Sequence, residues 1–270
     1  MDAFWHFYFD LIFFLLGACI GSLLNVCIHR IPREESIVRP RSHCPHCGRL
    51  IAWYDNIPLL SWMLLRARCR HCGEPISPRY ALVELLTALL FVAVFEVHGL
   101  TAVTPVYLLA VFGLILGSFV DLEHLIIPDR VTIGGMVLGP VLSLLVPQLH
   151  GTADRFSSLL QSLAGLAAGY GFLWLVAAAG RRVFRKEAMG YGDVKLLGAV
   201  GGWLGAASIP FVIMVSSLAG SVVGIALIIL GGRNLQSRIP YGPWIALAAL
   251  LWMLGGSDLW WAYVDWVRGG

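Results

Sequence analysis

Six cysteines occur in this 270-residue chain, and four of them form two closely spaced pairs. Cys44 and Cys47 stand in Cys-Pro-His-Cys, and Cys69 and Cys72 stand in Cys-Arg-His-Cys. Two CxxC pairs at this separation are typical of a zinc site, because four thiolates fill a tetrahedral shell. A filled shell has no position for a reacting water. We therefore expect a structural zinc that staples a loop too small to bury its own core.

Other fates of these cysteines are two disulfides or four free thiols. The charge pattern described below places the loop in a reducing cytosol, which disfavours disulfides. His43, His46 and His71 could each replace a sulfur ligand, but as neighbours of the cysteines they are expected to face outward. The remaining thiols, Cys19 and Cys27, are expected to be buried apolar fillers of the first hydrophobic segment.

A second set of reactive side chains consists of three aspartates at the ends of apolar segments. Asp121 closes one segment, Asp129 follows it in Ile-Ile-Pro-Asp, and Asp193 opens another in Gly-Tyr-Gly-Asp-Val-Lys. An aspartate at the centre of a membrane helix costs about 2.5–3.5 kcal/mol on insertion scales, so acids at such positions need a reason. The positions predict one shallow, partly hydrated site.

Helix capping is the alternative for these acids, since aspartate near a helix N-terminus satisfies free N–H groups. For Asp129, capping and a functional role fit equally well. For Asp193, the flanking Gly190 and Gly192 favour a functional role, because glycine permits close backbone approach that a cap does not need. Lys195 could tune this site or extend to the membrane interface, and its position favours the interface.

Two carboxyls brought together would act on one another. At about 4 Å and an effective dielectric near 20, repulsion between Asp121 and Asp193 is about 4 kcal/mol. One carboxyl would then keep its proton while the other ionises. This is the aspartic-protease arrangement, in which the ionised group takes a proton from water and the protonated group polarises the peptide carbonyl.

The elements that must hold these residues are membrane helices. Apolar residues make up 58% of the chain and charged residues 13%, which is far from the composition of a soluble domain. A membrane helix needs about 20 apolar residues, and a lipid-exposed backbone must bond to itself. The sequence predicts an all-α polytopic membrane protein with about eight spans: 7–28, 81–98, 105–121, 131–147, 157–180, 190–205, 208–230 and 242–264.

Basic residues orient these spans, because cytoplasmic loops collect Lys and Arg. Nine arginines lie between the first and second spans. Further basic residues follow the fifth and seventh spans, including Lys186, Arg233 and Arg238. Both termini are therefore expected in the periplasm, with the cysteine loop in the cytosol. The net charge of +3 follows from this topology and does not indicate nucleic acid binding.

These observations divide the chain into three predicted parts. Residues 1–29 form the first transmembrane helix, residues 30–80 form the zinc-binding cytosolic loop domain, and residues 81–270 form a seven-helix protease domain. Glycines spaced four residues apart within several spans favour close helix packing.

Read in order, the motifs resemble the bacterial type IV prepilin peptidase family, and the resemblance covers most of the chain. Besides the two CxxC pairs and the Gly-Tyr-Gly-Asp stretch, which matches the GxGD pattern, it rests on five segments: 21–32, 55–62, 79–87, 121–129 and 239–243.

This resemblance implies that Asp121 and Asp193 are catalytic. Gly190, Gly192, Lys195 and Asp129 are the expected supporting residues. The implied substrates are prepilins of type IV pili and pseudopilins of type II secretion, cut at the inner membrane. The resemblance also implies N-methylation of the new N-terminus with S-adenosylmethionine, an activity for which the residues alone give no independent sign.

Three alternatives remain open at this point. A proton-coupled transporter could use the three aspartates as a relay, although no paired repeat with broken helices is visible. A non-catalytic scaffold could use zinc to order a docking loop, but it leaves the Gly-Tyr-Gly-Asp stretch without a purpose. The chain could also be a peptidase that lacks methyltransferase activity.

Overall fold

The computed structural model describes residues 3–185, 189–231 and 240–269 of the chain. Ten α-helices lie within these ranges: α1 Ala3–Arg30, α2 Leu60–Leu64, α3 Pro78–His98, α4 Val103–His124, α5 Asp129–Leu145, α6 Arg155–Phe184, α7 Tyr191–Leu204, α8 Ser208–Gly231, α9 Gly242–Leu251 and α10 Ser257–Val267. Lys186, Arg233 and Arg238 of the charge argument, and Ile239 of the last motif, lie outside the described residues.

The predicted all-helical membrane fold is confirmed, and a helix covers each of the eight predicted spans. Six helical segments of the described residues are long and apolar enough to cross a membrane. Helices α5 and α7 are shorter, with 17 and 14 residues. At 1.5 Å per residue, α7 is about 21 Å long, less than the hydrocarbon core of about 30 Å. The predicted number of eight is therefore approximate.

The chain packs as two compact units, residues 1–100 and 101–270. In the first unit, α1 and α3 pack so closely that a Cβ atom on Gly17 would lie 2.7 Å from the Cα of Ala88. Farther along the pair, the rings of Phe13 and Phe95 stack with centroids 4.6 Å apart. The expectation of close packing at glycines holds for this pair of helices.

In the second unit, α7 is the central element. Its residues from Asp193 to Leu204 are buried except Lys195, which fits a helix that is apolar all round. Small residues let its neighbours approach: a Cβ on Gly139 of α5 would lie 2.8 Å from the backbone of Gly202, and one on Gly165 of α6 would lie 2.1 Å from Gly201. The short helix is thus held on two sides by close backbone packing.

The last membrane segment, Gly242–Val267, bends in its middle. Between α9 and α10, residues Trp252–Gly256 form a π-type turn in which Gly255 has a φ of +106°. Glycine tolerates this left-handed backbone without the clash that a Cβ would cause. The bend separates α9, which takes part in the site described next, from the exposed α10.

Candidate active site and metal centre

The four cysteines meet in the first unit. All four Sγ atoms lie within 4.8 Å of one another, and the Sγ atoms of Cys44 and Cys72 are 3.8 Å apart. A tetrahedral shell with Zn–S bonds of about 2.3 Å has sulfurs about 3.8 Å apart. All six cysteines of the chain are free thiols in the structure, which argues against the disulfide alternative. Cys27 is buried as expected, whereas the expectation for Cys19 was wrong, because it lies on an exposed face of α1. The four cysteines therefore form a group that could hold a metal ion, and their softness favours zinc.

Each CxxC pair sits in the same kind of turn. The N–H of Gly48 donates to the carbonyl of Cys44 at 2.9 Å, and the N–H of Gly73 donates to that of Cys69 at 3.0 Å. Both glycines have positive φ, +68° and +74°, which a residue with a Cβ rarely adopts. Each cysteine pair thus carries its own turn-forming glycine directly after it, and the two turns present their sulfurs to one point.

Side chains around the turns brace the loop without supplying ligands. His43, His46 and His71 are exposed, as predicted, and stand outside the cysteine group. Arg70 donates to both carboxylate oxygens of Asp55, at 3.0 and 2.8 Å from Nε. These hydrogen bonds hold the pKa of Asp55 below its ordinary value. The second cysteine turn is thereby tied to the chain segment that precedes α2.

The two candidate catalytic aspartates lie in the second unit, at helix ends. Asp121 is in the last turn of α4 and is 5% exposed, and its Oδ2 accepts the N–H of Gly242 at 3.0 Å. Asp193 is in the first turn of α7 and is 9% exposed. Ile127 lies against Gly192, the residue before Asp193, and against Gly242, which contacts Asp121. Two acids far apart in sequence therefore share one buried environment.

A glycine lies against each carboxylate. A Cβ on Gly190 would lie 3.1 Å from Oδ2 of Asp193, and one on Gly242 would lie 2.8 Å from Oδ2 of Asp121. Side chains at these two positions would press on the carboxylates. The glycine at position 190 thus leaves room for the carboxylate of Asp193 in the same turn.

Ile127 lies between the segment that carries Asp193 and the segment that contacts Asp121. Its side chain is buried, and it lies against Gly192 in the first turn of α7 and Gly242 at the start of α9. Neither Ile127 nor Gly242 was singled out from the sequence, although both stand in the motifs 121–129 and 239–243. The signal was an apolar residue before Pro128 and a glycine before Pro243, and neither residue type suggests chemistry by itself.

The third aspartate is placed differently. The carboxylate of Asp129, at the start of α5, is 63% exposed and pairs with the Nζ of Lys195 on α7. Lys195 also lies 5.5 Å above the ring of Tyr191, whose hydroxyl is hydrogen-bonded to that of Tyr170 on α6. These contacts tie the residues around Asp193 to two neighbouring helices. Asp129 is therefore part of a bracing ion pair beside the buried carboxyls.

The fold and the two sites define a class of protein: a multi-pass helical membrane protein with a buried carboxyl pair at helix ends and a separate tetracysteine centre. Residues 15–97 match the family model described as Bacterial Peptidase A24 N-terminal domain, and residues 107–225 match that of the Type IV leader peptidase family. The chain belongs to the Type IV leader peptidase family, so the predicted resemblance is confirmed and the protein is a membrane aspartic peptidase.

Several relatives support this membership over most of the chain. The "Prepilin leader peptidase/N-methyltransferase" of Aeromonas hydrophila is 42% identical over 93% of this chain and 92% of its own length. The Legionella pneumophila protein of the same name is 33% identical over 98% of this chain and 96% of its own length. No solved structure gives a match. Membership of a peptidase family does not support the transporter alternative.

Proposed function

We propose that this chain cuts the leader from type IV prepilins and type II secretion pseudopilins at the cytosolic face of the inner membrane, with Asp121 and Asp193 as its catalytic residues. The observation that carries the proposal is that both carboxyls are buried at the ends of α4 and α7, and that Ile127 contacts the glycines beside both of them. Two neighbouring buried acids share protons unequally, and general acid–base catalysis of peptide hydrolysis requires one protonated and one ionised group.

The proposed reaction uses the two acids in opposite protonation states. The N–H of Gly242 donates to Asp121, and this contact suits Asp121 to the ionised role. Asp121 takes a proton from water as the water oxygen attacks the peptide carbonyl carbon. Asp193, protonated, gives its proton to the carbonyl oxygen. The tetrahedral intermediate then collapses, the C–N bond breaks, and the departing amine takes a proton from the site.

The ion pair of Asp129 and Lys195 has a positioning role in this proposal. It links the start of α5 to the first turns of α7, and so fixes the segment that carries Asp193. Gly190 and Gly192 leave room for the carboxylate and for Ile127. An extended substrate backbone must reach both carboxyls at once, which demands that the helix ends keep their spacing.

The orientation and the domain roles belong to the same proposal. Both termini would be periplasmic and the cysteine loop cytosolic, in agreement with the basic residues between α1 and α3. Residues 30–80 would act as the zinc-binding domain, with about one zinc per chain held by Cys44, Cys47, Cys69 and Cys72 in a structural role. The protease would be formed by residues 81–270. The relatives' name further supports N-methylation of the new N-terminus with S-adenosylmethionine.

The test is cleavage of a prepilin by the purified full-length protein. Asp121→Asn and Asp193→Asn keep the size of each side chain and remove its acid–base function. Each is expected to lower the cleavage rate at least about 100-fold while the protein still accumulates in the membrane. Asp258→Asn is the matched control, because Asp258 also lies in the first turn of a helix but is exposed. Normal cleavage by either of the first two variants refutes the assignment.

A further inference from the structure

A short helix of the first unit carries an apolar face that the described part of the chain leaves open. Helix α2 begins at Leu60 and ends at Leu64. Residues at positions i, i+3 and i+4 share one side of a helix, so Leu60, Met63 and Leu64 form a single surface, here called the α2 face. These three residues are 44%, 61% and 73% exposed. Large apolar residues exposed side by side indicate an interaction surface.

The opposite side of α2 is fastened to the cysteine loop. Ser61 is buried, and its hydroxyl donates to the carbonyl of Tyr54 at 3.0 Å and accepts the N–H of Ile57 at 3.1 Å. The ring N–H of Trp62 donates to the carbonyl of Ile76 at 3.4 Å. A helix of five residues is not stable by itself in water, so these contacts fix which side of α2 faces outward.

A contact with α3 places α2 at the level of a membrane surface. The N–H of Leu59, the residue before α2, donates to Oε2 of Glu84 at 2.8 Å. Helix α3 is long and apolar enough to cross a membrane, and Glu84 lies six residues after its start at Pro78. At 1.5 Å per residue, this is about 9 Å along the span. Interfacial helices bury their apolar face about 5–10 Å into the boundary between headgroups and acyl chains, which is the depth at which α2 begins.

Both ends of the cysteine loop belong to the same membrane surface. The side-chain amide of Asn25, near the end of α1, donates to the carbonyl of Tyr80 in the first turn of α3 at 3.0 Å. The end of the first span therefore lies against the start of the second, and residues 34–77 leave and re-enter the bilayer at one side. This double tether makes contact between α2 and that surface an intramolecular event, which raises its effective concentration.

Two arginines directly follow the α2 face. Arg66 and Arg68 are exposed, and neither forms an ion pair with another residue in the described ranges. The chain leaves α2 through Arg66 and Ala67, which have φ of +51° and +58°, and the N–H of Ala67 donates back to the carbonyl of Trp62 at 2.8 Å. This tight turn keeps both arginines close to the α2 face. Basic residues at a membrane surface attract anionic headgroups.

We propose that the α2 face is an interfacial anchor, which inserts into the bilayer leaflet where α1 ends and α3 begins and holds Arg66 and Arg68 against anionic lipid headgroups. Apolar side chains at this depth, followed by unpaired positive charge, match the chemistry of an anionic membrane surface. Trp53 fits the same occupant: it is 75% exposed in the turn Trp53–Asp55, which contacts α2, and tryptophan is enriched at membrane interfaces. The anchor fixes the cysteine loop at the bilayer surface.

The test replaces Leu64 with the photoreactive amino acid p-benzoylphenylalanine in the zinc-loaded full-length protein. The protein is reconstituted in nanodiscs of phosphatidylglycerol and phosphatidylcholine and illuminated, and mass spectrometry identifies the crosslinked partner. Lipid adducts are the expected main product, both at Leu64 and with the same probe at Met63. His46 is the control position, because the exposed His43 and Arg49 beside it indicate a hydrated turn, and it should give at least about 10-fold less lipid adduct.

Removal of charge tests the headgroup contact. The double variant Arg66→Gln, Arg68→Gln should lower the lipid-adduct yield at Leu64 about 3-fold or more in the anionic nanodiscs, because each arginine contributes to attraction by the headgroups. In nanodiscs of phosphatidylcholine alone, the same double variant should give the same yield as the protein with both arginines. An equal yield with and without the arginines in anionic nanodiscs overturns the headgroup contact.

A prepilin is the other occupant that the experiment distinguishes. With uncleaved prepilin added, adducts at Leu64 that change from lipid to prepilin assign the α2 face to substrate and overturn the anchor. Equal lipid-adduct yields at Leu64, Met63 and His46 overturn it as well. Zinc content and helix content by circular dichroism verify that each protein is folded. Because the readout is a crosslink, it does not depend on which acids cut the prepilin, and loss of cleavage leaves the anchor standing.

Discussion

The tetracysteine group and the carboxyl pair are built from the chain in different ways. The four cysteines come from residues 44–72 of the first unit, in two short turns of the same form. The two acids come from α4 and α7 of the second unit, and the contacts that frame them come from the start of α9 and the segment before α5. A local motif carries its own geometry, whereas the acid pair depends on how whole helices pack.

Removal of the metal should produce the largest difference in protease resistance between the cysteine loop and the second unit. Cys44→Ser, or a strong chelator, should release the zinc and unfold the loop, because zinc contributes about 10–16 kcal/mol to the folding of small zinc domains. Trypsin should then cut rapidly at the loop's arginines, while cleavage sites in residues 101–270 keep their protection. Metal analysis and limited proteolysis measure both effects.

Cys19→Ser is the control for this experiment, since Cys19 stands outside the cysteine cluster. It should retain about one zinc per chain. A loop that stays resistant to trypsin after complete zinc removal would show that the metal does not hold it, and the contrast between the regions would fail.

Gly242→Ala perturbs the acid pair through packing alone. The new Cβ would lie 2.8 Å from Oδ2 of Asp121 and 2.9 Å from Cδ1 of Ile127, so one of them must move. Displacements of about 1 Å at a catalytic group cost about 100-fold, and we expect a loss of about 10- to 100-fold in cleavage rate with unchanged zinc content. Gly134→Ala, on α5, meets nothing within 4 Å and should cleave normally. Equal rates for the two variants would contradict the proposed geometry.

The ion pair between Asp129 and Lys195 should have a smaller effect. Because the carboxylate of Asp129 is 63% exposed, water screens the pair, and we expect Asp129→Asn or Lys195→Met to lower cleavage only about 2- to 5-fold. If the two residues act through one another, the double variant is no worse than either single one. If instead the fold-losses of the two single variants multiply in the double variant, each residue has a separate role, and Asp129 or Lys195 acts more directly in the reaction than we propose.

The smallest expected effect is on stability, and it concerns the packing of His150 against the end of α7. Burial lowers the pKa of His150 below its ordinary value of 6.5, and its ring lies against Gly205 at the end of α7. The folded state therefore prefers the neutral ring. This contribution to stability is complete above the unfolded pKa and is lost as the pH falls through about 6.5 toward the folded pKa.

Lowering the pH from 7.5 to 5.5 should reduce the Tm of wild type by roughly 2 °C more than that of His150→Gln, in which the titrating ring is absent. Thermal unfolding followed by circular dichroism at both pH values measures this difference. An identical change of Tm with pH in the two proteins would mean that protonation of His150 does not destabilise the packing at the end of α7.

The family and the membrane fold were predicted from the sequence, and so was the gathering of the four cysteines. Length and hydropathy suffice for helices in lipid, because a backbone without water must bond to itself. CxxC pairs followed by glycine form their turns from adjacent residues. These predictions depend on interactions between near neighbours in the chain, which a sequence displays directly.

The contacts of Gly242, Ile127 and Lys195 could not be read in this way. A glycine and an isoleucine carry no chemical signal, and the partner of Lys195 depends on which helices lie beside α7. Residue types and spacing were enough to predict which side chains could do chemistry and that helices would hold them. Which helix ends meet became visible in the folded chain alone, because it depends on close packing of small residues along α5, α6 and α7, far from the acids themselves.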